Sequence, residues 1–167
     1  LVFGVMGDGN DPRKGFSLLR EALLHLSGQI DGLQLVVFGQ QPLSASVDLG
    51  FPIHYTGHIN DGVTLRAIYN AADAFVIPSR QDNLPNIGLE ALASGKPVIA
   101  FDTGGLPDIV SHQKTGYLAK AFDTEDLACG IKWVLENHER YNSLCINARE
   151  DAVNRFSYPV IAEQYAR

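Results

Sequence analysis

Ala74-Phe75-Val76-Ile77-Pro78-Ser79-Arg80-Gln81-Asp82-Asn83-Leu84-Pro85-Asn86-Ile87-Gly88-Leu89-Glu90-Ala91-Leu92-Ala93-Ser94-Gly95-Lys96-Pro97-Val98-Ile99-Ala100-Phe101 holds the pattern that decides the fold. Ala74 to Ile77 and Val98 to Phe101 are apolar runs of strand length. Between them Asn86 to Ser94 reads as a helix, stopped by Gly95 and Pro97. Strand, polar loop, helix and strand make a βα unit, which sets both strands parallel in one sheet.

The alternation continues in both directions. Upstream, Leu1 to Val5 reads as a first strand, followed after the loop Met6 to Lys14 by a helix over Phe16 to Leu26. Its Leu18, Leu19, Ala22, Leu23 and Leu26 share one apolar face, and Gly28 supplies a stop. Leu33 to Phe38 is almost continuously apolar, as a strand buried on both faces must be. Gly39 to Pro52 is a polar, turn-rich connection, Ile53 to Tyr55 a short third strand and Thr64 to Asn70 a short helix. Downstream come a short helix over Leu106 to Val110, a strand over Gly116 to Ala119, and a helix over Thr124 to Asn137 with Thr124 suited to its N-cap. Glu139 to Arg167 reads as helical with a break at Ser157-Tyr158-Pro159. The expected architecture is α/β, a Rossmann-like parallel sheet in three α/β/α layers. Its ligands belong outside the carboxyl ends of the strands.

A chain of 167 residues, 46% hydrophobic with 16 glycines and 8 prolines, suffices for one domain with a proper core. Residues 1–167 are therefore read as a single domain. Thirteen basic against nineteen acidic residues leave a net charge of −6. That disfavours nucleic acid as a partner, since such binding rests on neutralising phosphates. A small phosphorylated ligand needs only one local positive spot. Cys129 and Cys145 have no metal-like spacing and are read as free, buried or semi-buried thiols, which fits a reducing compartment and a cytoplasmic location. No apolar run reaches the length of a membrane span and no signal peptide is visible. The chain opens inside a strand-like run, so it is expected to be an excised domain whose N-terminal region lies elsewhere.

Three loops leave strand ends carrying polar residues. The first, Gly7-Asp8-Gly9-Asn10-Asp11-Pro12-Arg13-Lys14-Gly15, fails as a dinucleotide fingerprint because its third glycine would fall on Pro12. It fails as a calcium loop for want of a distal Glu. Arg13-Lys14-Gly15 at a helix start remains, either a phosphate grip or a solvated basic turn. The second loop sets Asp82 just before a helix and Glu90 one turn inside it. Asn83, Asn86 and Glu90 would share a face if the helix reached back to Asn83. Carboxylates so placed suit the hydroxyls of a ribose or hexose; equally, Asp82 would cap the helix and Glu90 sit on its surface. The third loop, Thr56-Gly57-His58-Ile59-Asn60-Asp61-Gly62, offers either a nucleobase contact or a helix cap at Asn60 or Asp61. The histidines, His54 and His58 included, lack metal spacing and are read as structural or surface residues. No Ser/His/Asp nucleophile arrangement emerges.

The ordered set Arg13-Lys14-Gly15, Gly57-His58-Ile59-Asn60-Asp61, Ala71-Ala72-Asp73-Ala74, Pro78-Ser79, Asp82-x7-Glu90 through Val98, Gly104-Gly105-Leu106-Pro107-Asp108-Ile109-Val110 and Thr115-Gly116-Tyr117-Leu118 resembles the retaining family-four glycosyltransferases of the GT-B fold. The resemblance covers nearly the whole chain and implies the C-terminal, donor-binding half of such an enzyme. It implies Lys14 on the diphosphate and Glu90, the second acid of the E-x7-E motif, on the ribose hydroxyls. Asp82 takes the place of the first acid, against the donor sugar, and with Lys14 would be catalytic. Ile59, through its backbone, and Asp61 would meet the base, and the loop Asn83, Leu84, Pro85 and Asn86 would face sugar and phosphate. Two departures stand out. Asp82 is one methylene shorter than the usual Glu. Asp8 or Gly9 stands where an arginine often meets the diphosphate, which leaves that role either to Arg13 or to a group from the N-terminal domain, or else a lower affinity for phosphate.

The implied reaction moves a hexosyl group from a nucleoside-diphosphate sugar to an acceptor hydroxyl with retention, in glycan or polysaccharide synthesis. No cofactor or obligatory metal is expected, because Lys14 and helix N-termini would stabilise the departing diphosphate. The acceptor, a glycan or lipid-linked glycan, would be held by an N-terminal domain outside this chain, with peripheral membrane association of the whole protein. Without that domain the chain should bind donor and not turn it over. A nucleotide-sugar epimerase of like architecture and a non-catalytic sugar-nucleotide-binding domain are the alternatives.

Overall fold

A computed structural model describes residues 2–4, 11–39 and 48–166. Six strands, β1 (Val2–Gly4), β2 (Leu35–Phe38), β3 (Ile53–Gly57), β4 (Phe75–Ile77), β5 (Val98–Phe101) and β6 (Gly116–Ala119), form one sheet in the order β3-β2-β1-β4-β5-β6. Every pairing is parallel. The order reverses between β1 and β4, and the crevice at such a reversal is where ligands enter sheets of this kind.

Successive side chains of a strand point to opposite faces, so β2, β4, β5 and β6 feed two cores. Val37, Val76, Ile99 and Phe101 pack beneath α1 (Phe16–Leu26) and α5 (Thr124–Leu135). Phe38, Phe75, Ile77, Val98 and Ala100 turn to the other face. There they meet α2 (Gly62–Ala71), α3 (Asn86–Ala93), α4 (Leu106–Ile109) and α6 (His138–Phe156). The result is the three-layer α/β/α arrangement expected from the sequence. A last helix, α7 (Tyr158–Tyr165), buries none of its residues, and Tyr158 and Tyr165 are largely exposed.

The elements differ from expectation mainly at their ends, each time because a cap or a pairing moves the boundary. Asp61 accepts from the backbone N–H groups of Val63 and Thr64, so α2 starts at Gly62 rather than Thr64. Asp123, not Thr124, caps α5 by accepting from the Asp126 N–H at 3.0 Å. Asn137 caps α6 instead of ending α5. β3 runs on to Gly57 because a register shift at Val37/Phe38 pairs Phe38 with Gly57. The break between α6 and α7 falls at Ser157, with Pro159 in the first turn of α7, where its missing N–H costs nothing. Both cysteines are free, but Cys129 is exposed rather than buried.

Candidate functional site

Loops from neighbouring strand ends are locked together by backbone contacts. A 3-10 turn at Pro12–Lys14 ends on Gly15, whose φ of 70° puts it in the left-handed region. A Cβ there would lie 1.8 Å from the Pro78 carbonyl oxygen, so this position tolerates only glycine. Beside it the Arg80 N–H donates to the Arg13 carbonyl at 2.7 Å. This seam carries Lys14 across to a residue 68 positions away, and its Nζ donates to Asp82 Oδ2 at 3.1 Å. The two side chains keep 32% and 19% of their surface exposed, a half-buried ion pair at the mouth of the crevice.

The Asp82 loop is held from behind by Gly104-Gly105. The Gly105 N–H donates to the Asp82 carbonyl at 2.9 Å. A Cβ on Gly105 would fall 1.4 Å from the Asn83 carbonyl oxygen, and one on Gly104 would fall 2.4 Å from that of Asp82. Asp82 does not cap the following helix: Pro85 is the N-cap of α3, and no side chain bonds there. The helix does not reach back to Asn83, so Asn83 does not share its face with Asn86 and Glu90. One turn in, Glu90 Oε2 accepts from the hydroxyl of Tyr69 at 2.6 Å. Burial, and after it the Glu90 hydrogen bond, pushes the Tyr69 phenol far above its ordinary pKa.

These parts surround one open cleft of about 800 Å³. Of the residues singled out in the sequence, Lys14, Ile59, Asp82, Leu84, Pro85, Asn86 and Glu90 line it; Arg13, Asp61 and Asn83 do not. Arg13 turns its guanidinium to Asp11, at 2.8 Å, with 71% of its side chain exposed. That contact holds the Asp11 carboxyl below its ordinary pKa. Asp61 is committed to capping α2, and the Thr64 N–H is the first cause of its lowered pKa. Asp8 and Gly9 lie outside the described residues. Phe38, His58, Leu65 and Tyr69 join the cleft wall without having been singled out for it. No sequence signal marked Tyr69, which reads as one more apolar position on α2. Among the described residues no group of three or more His, Cys, Asp or Glu is placed to hold a metal, and no helix is long and apolar enough to cross a membrane.

The cleft thus offers a cation beside an uncapped helix start, two carboxylates and an apolar wall. The family described as Glycosyl transferases group 1 matches residues 9–151. The chain belongs to this family. Among group 1 relatives, the GDP-mannose-dependent alpha-(1-6)-phosphatidylinositol monomannoside mannosyltransferase of Mycobacterium tuberculosis is 30% identical over 170 residues, covering 93% of this chain and 44% of that protein. The structure of sucrose-phosphate synthase from Thermosynechococcus elongatus aligns with a TM-score of 0.79 at 29% identity, over 99% of this chain and 43% of that one. HepE from Anabaena in complex with UDP aligns with a TM-score of 0.79 at 24% identity, over 99% of this chain and 47% of that one. The group 1 chain described here therefore spans less than half the length of these proteins. The sheet and its flanking helices are one Rossmann-like half of the GT-B architecture.

Proposed function

We propose that the cleft binds the nucleoside diphosphate of an activated hexose, and that residues 1–167 form the C-terminal donor domain of a retaining hexosyltransferase. The observation that carries this reading is the meeting of Lys14, Asp82 and Glu90 around one cleft. Lys14 and the start of α3 would meet the diphosphate, whose negative charge grows as the glycosyl bond breaks. Glu90 would accept from the ribose hydroxyls and Asp82 from the sugar. Leu84, Pro85 and Asn86, the part of the Asn83 to Asn86 loop that lines the cleft, would sit under the sugar and phosphate. Ile59 would meet the base through its backbone, while Asp61, which does not line the cleft, would hold the Ile59 loop in place by capping α2. Donor entry would then exchange one partner of Lys14, the Asp82 carboxylate, for another, the diphosphate. The acceptor, its glycan or lipid-linked class and any peripheral membrane contact belong to the remainder of the protein. The names of the relatives, GDP-mannose-dependent in one case and UDP-bound in another, support a nucleotide-sugar ligand.

Calorimetric titration of the chain with UDP, GDP and ADP, free and as hexose conjugates, tests the reading. One base series should bind, with no release of free nucleotide from the conjugate over hours. Absence of binding at millimolar concentrations, with a native far-UV spectrum, would sink it.

A further inference from the structure

We infer that Tyr69 is a positioning residue for this site: its hydroxyl holds the Glu90 carboxylate in the one rotation that presents its remaining lone pairs to a ribose. The inference rests on the proposed function above, and it concerns a residue on a different helix from the acid it serves. At 2.6 Å the contact is short, as hydroxyl-to-carboxylate bonds are when the acceptor is ionised. The Tyr69 ring has no freedom to follow a moving partner. It is 3% exposed, stacks on Phe75 at 4.7 Å between centroids, and meets Phe38 edge-on at 6.2 Å. Glu90, by contrast, is exposed on the surface of α3. An exposed glutamate samples several rotamers and must surrender them to grip a ligand. The bond to a fixed phenol takes that loss when the chain folds, before any ligand arrives.

The stoichiometry of the carboxylate agrees. An ionised carboxylate offers about four lone-pair sites. Tyr69 uses one of them on Oε2, and Oε1 has no partner among the described residues. Lys14, the cation of the cleft, is engaged by Asp82 rather than by Glu90. What is left on Glu90 is enough for two adjacent hydroxyls. Burial keeps the phenol protonated well beyond neutrality, so Tyr69 remains a donor to Glu90 at neutral pH.

The test is a double-mutant cycle read with UDP, GDP and ADP, and with the 2′-deoxy and 3′-deoxy forms of whichever binds best. Tyr69→Phe keeps the ring and its stacking, so the melting midpoint should stay close to that of the parent. Its affinity for the ribonucleotide should fall about five- to tenfold, and the preference for ribose over the deoxy forms should narrow. In a Glu90→Ala background the same Tyr69→Phe change should have no effect on affinity. A purely structural tyrosine would weaken binding equally in both backgrounds, or leave affinity and sugar preference as they were; either result overturns the inference while the donor reading stands. If the parent chain binds none of the three diphosphates, the donor reading itself fails and takes this inference with it.

Discussion

Glu90 sits where a residue can be useful and costly at once: exposed on α3, one oxygen tied to Tyr69, the other without a partner among the described residues. Replacing it removes one carboxylate from the cleft and also the partner of the buried Tyr69 hydroxyl, so binding and stability must be read together. Glu90→Ala should weaken nucleoside-diphosphate binding by about 1.5–3 kcal/mol, the range for hydrogen bonds to a charged group, and lower the thermal midpoint somewhat because the buried Tyr69 hydroxyl loses its acceptor. Isothermal titration of parent and variant checks this, and equal affinities would make Glu90 an ordinary surface acid. The residue scale is also where sequence reading was weakest. The pairing of Lys14 with Asp82 spans 68 positions and that of Tyr69 with Glu90 spans 21. Neither leaves a periodic trace, since the chain between the partners is spent on whole strands and helices. Arg13 shows the converse: a basic residue beside Lys14 that a near neighbour, Asp11, draws off the cleft.

At the scale of elements, β6 and α5 are joined through one ring. Tyr117 packs on His112 and Trp133, and its hydroxyl donates to Asp126 Oδ1 at 2.8 Å. Gly130 lies under that ring, and a Cβ there would come within 2.4 Å of it. Alanine normally favours a helix over glycine by roughly 0.5–1 kcal/mol, but here the added methyl would push on a ring held by His112, Trp133 and the Asp126 bond. Gly130→Ala should therefore destabilise by about 1–3 kcal/mol in chemical denaturation, and a gain in stability would refute the contact. Burial first, then the Asp126 hydrogen bond, pushes the Tyr117 phenol up to about 12. The folded chain keeps a proton that the unfolded chain loses near pH 10. This contribution to stability is whole below about pH 10 and lost as pH rises toward 12. Tyr117→Phe should make the alkaline fall in stability shallower, the buried Tyr69 phenol supplying part of what remains, measured by denaturant midpoints at a series of pH values. Strands and helices were legible from the sequence because their signal is local: the face of α1 and the apolar run of β5 stand where their periodicity put them. Boundaries were not. Asp123 and Thr124 are both good caps, and backbone geometry alone chooses between neighbours.

For the molecule as a whole, the cleft joins loops from separate strand ends, so a ligand there should brace the fold as well as occupy it. At a concentration a hundredfold above its dissociation constant, a nucleoside diphosphate adds about 2.7 kcal/mol to the folded state. For a chain of this size that is a rise of roughly 5–10 °C in melting midpoint, readable by differential scanning. A flat midpoint under saturating ligand would contradict binding across the loops. The Lys14–Asp82 pair carries one more consequence. A bare lysine attracts an anion with a strength that dissolved salt steadily erodes. Here the ammonium already has a carboxylate at 3.1 Å, and raising ionic strength loosens that resident bond along with the incoming one. The two losses offset each other, so donor affinity should change little between dilute buffer and half-molar sodium chloride. In Asp82→Asn, where the competing charge is gone, the same salt series should show a steep decline.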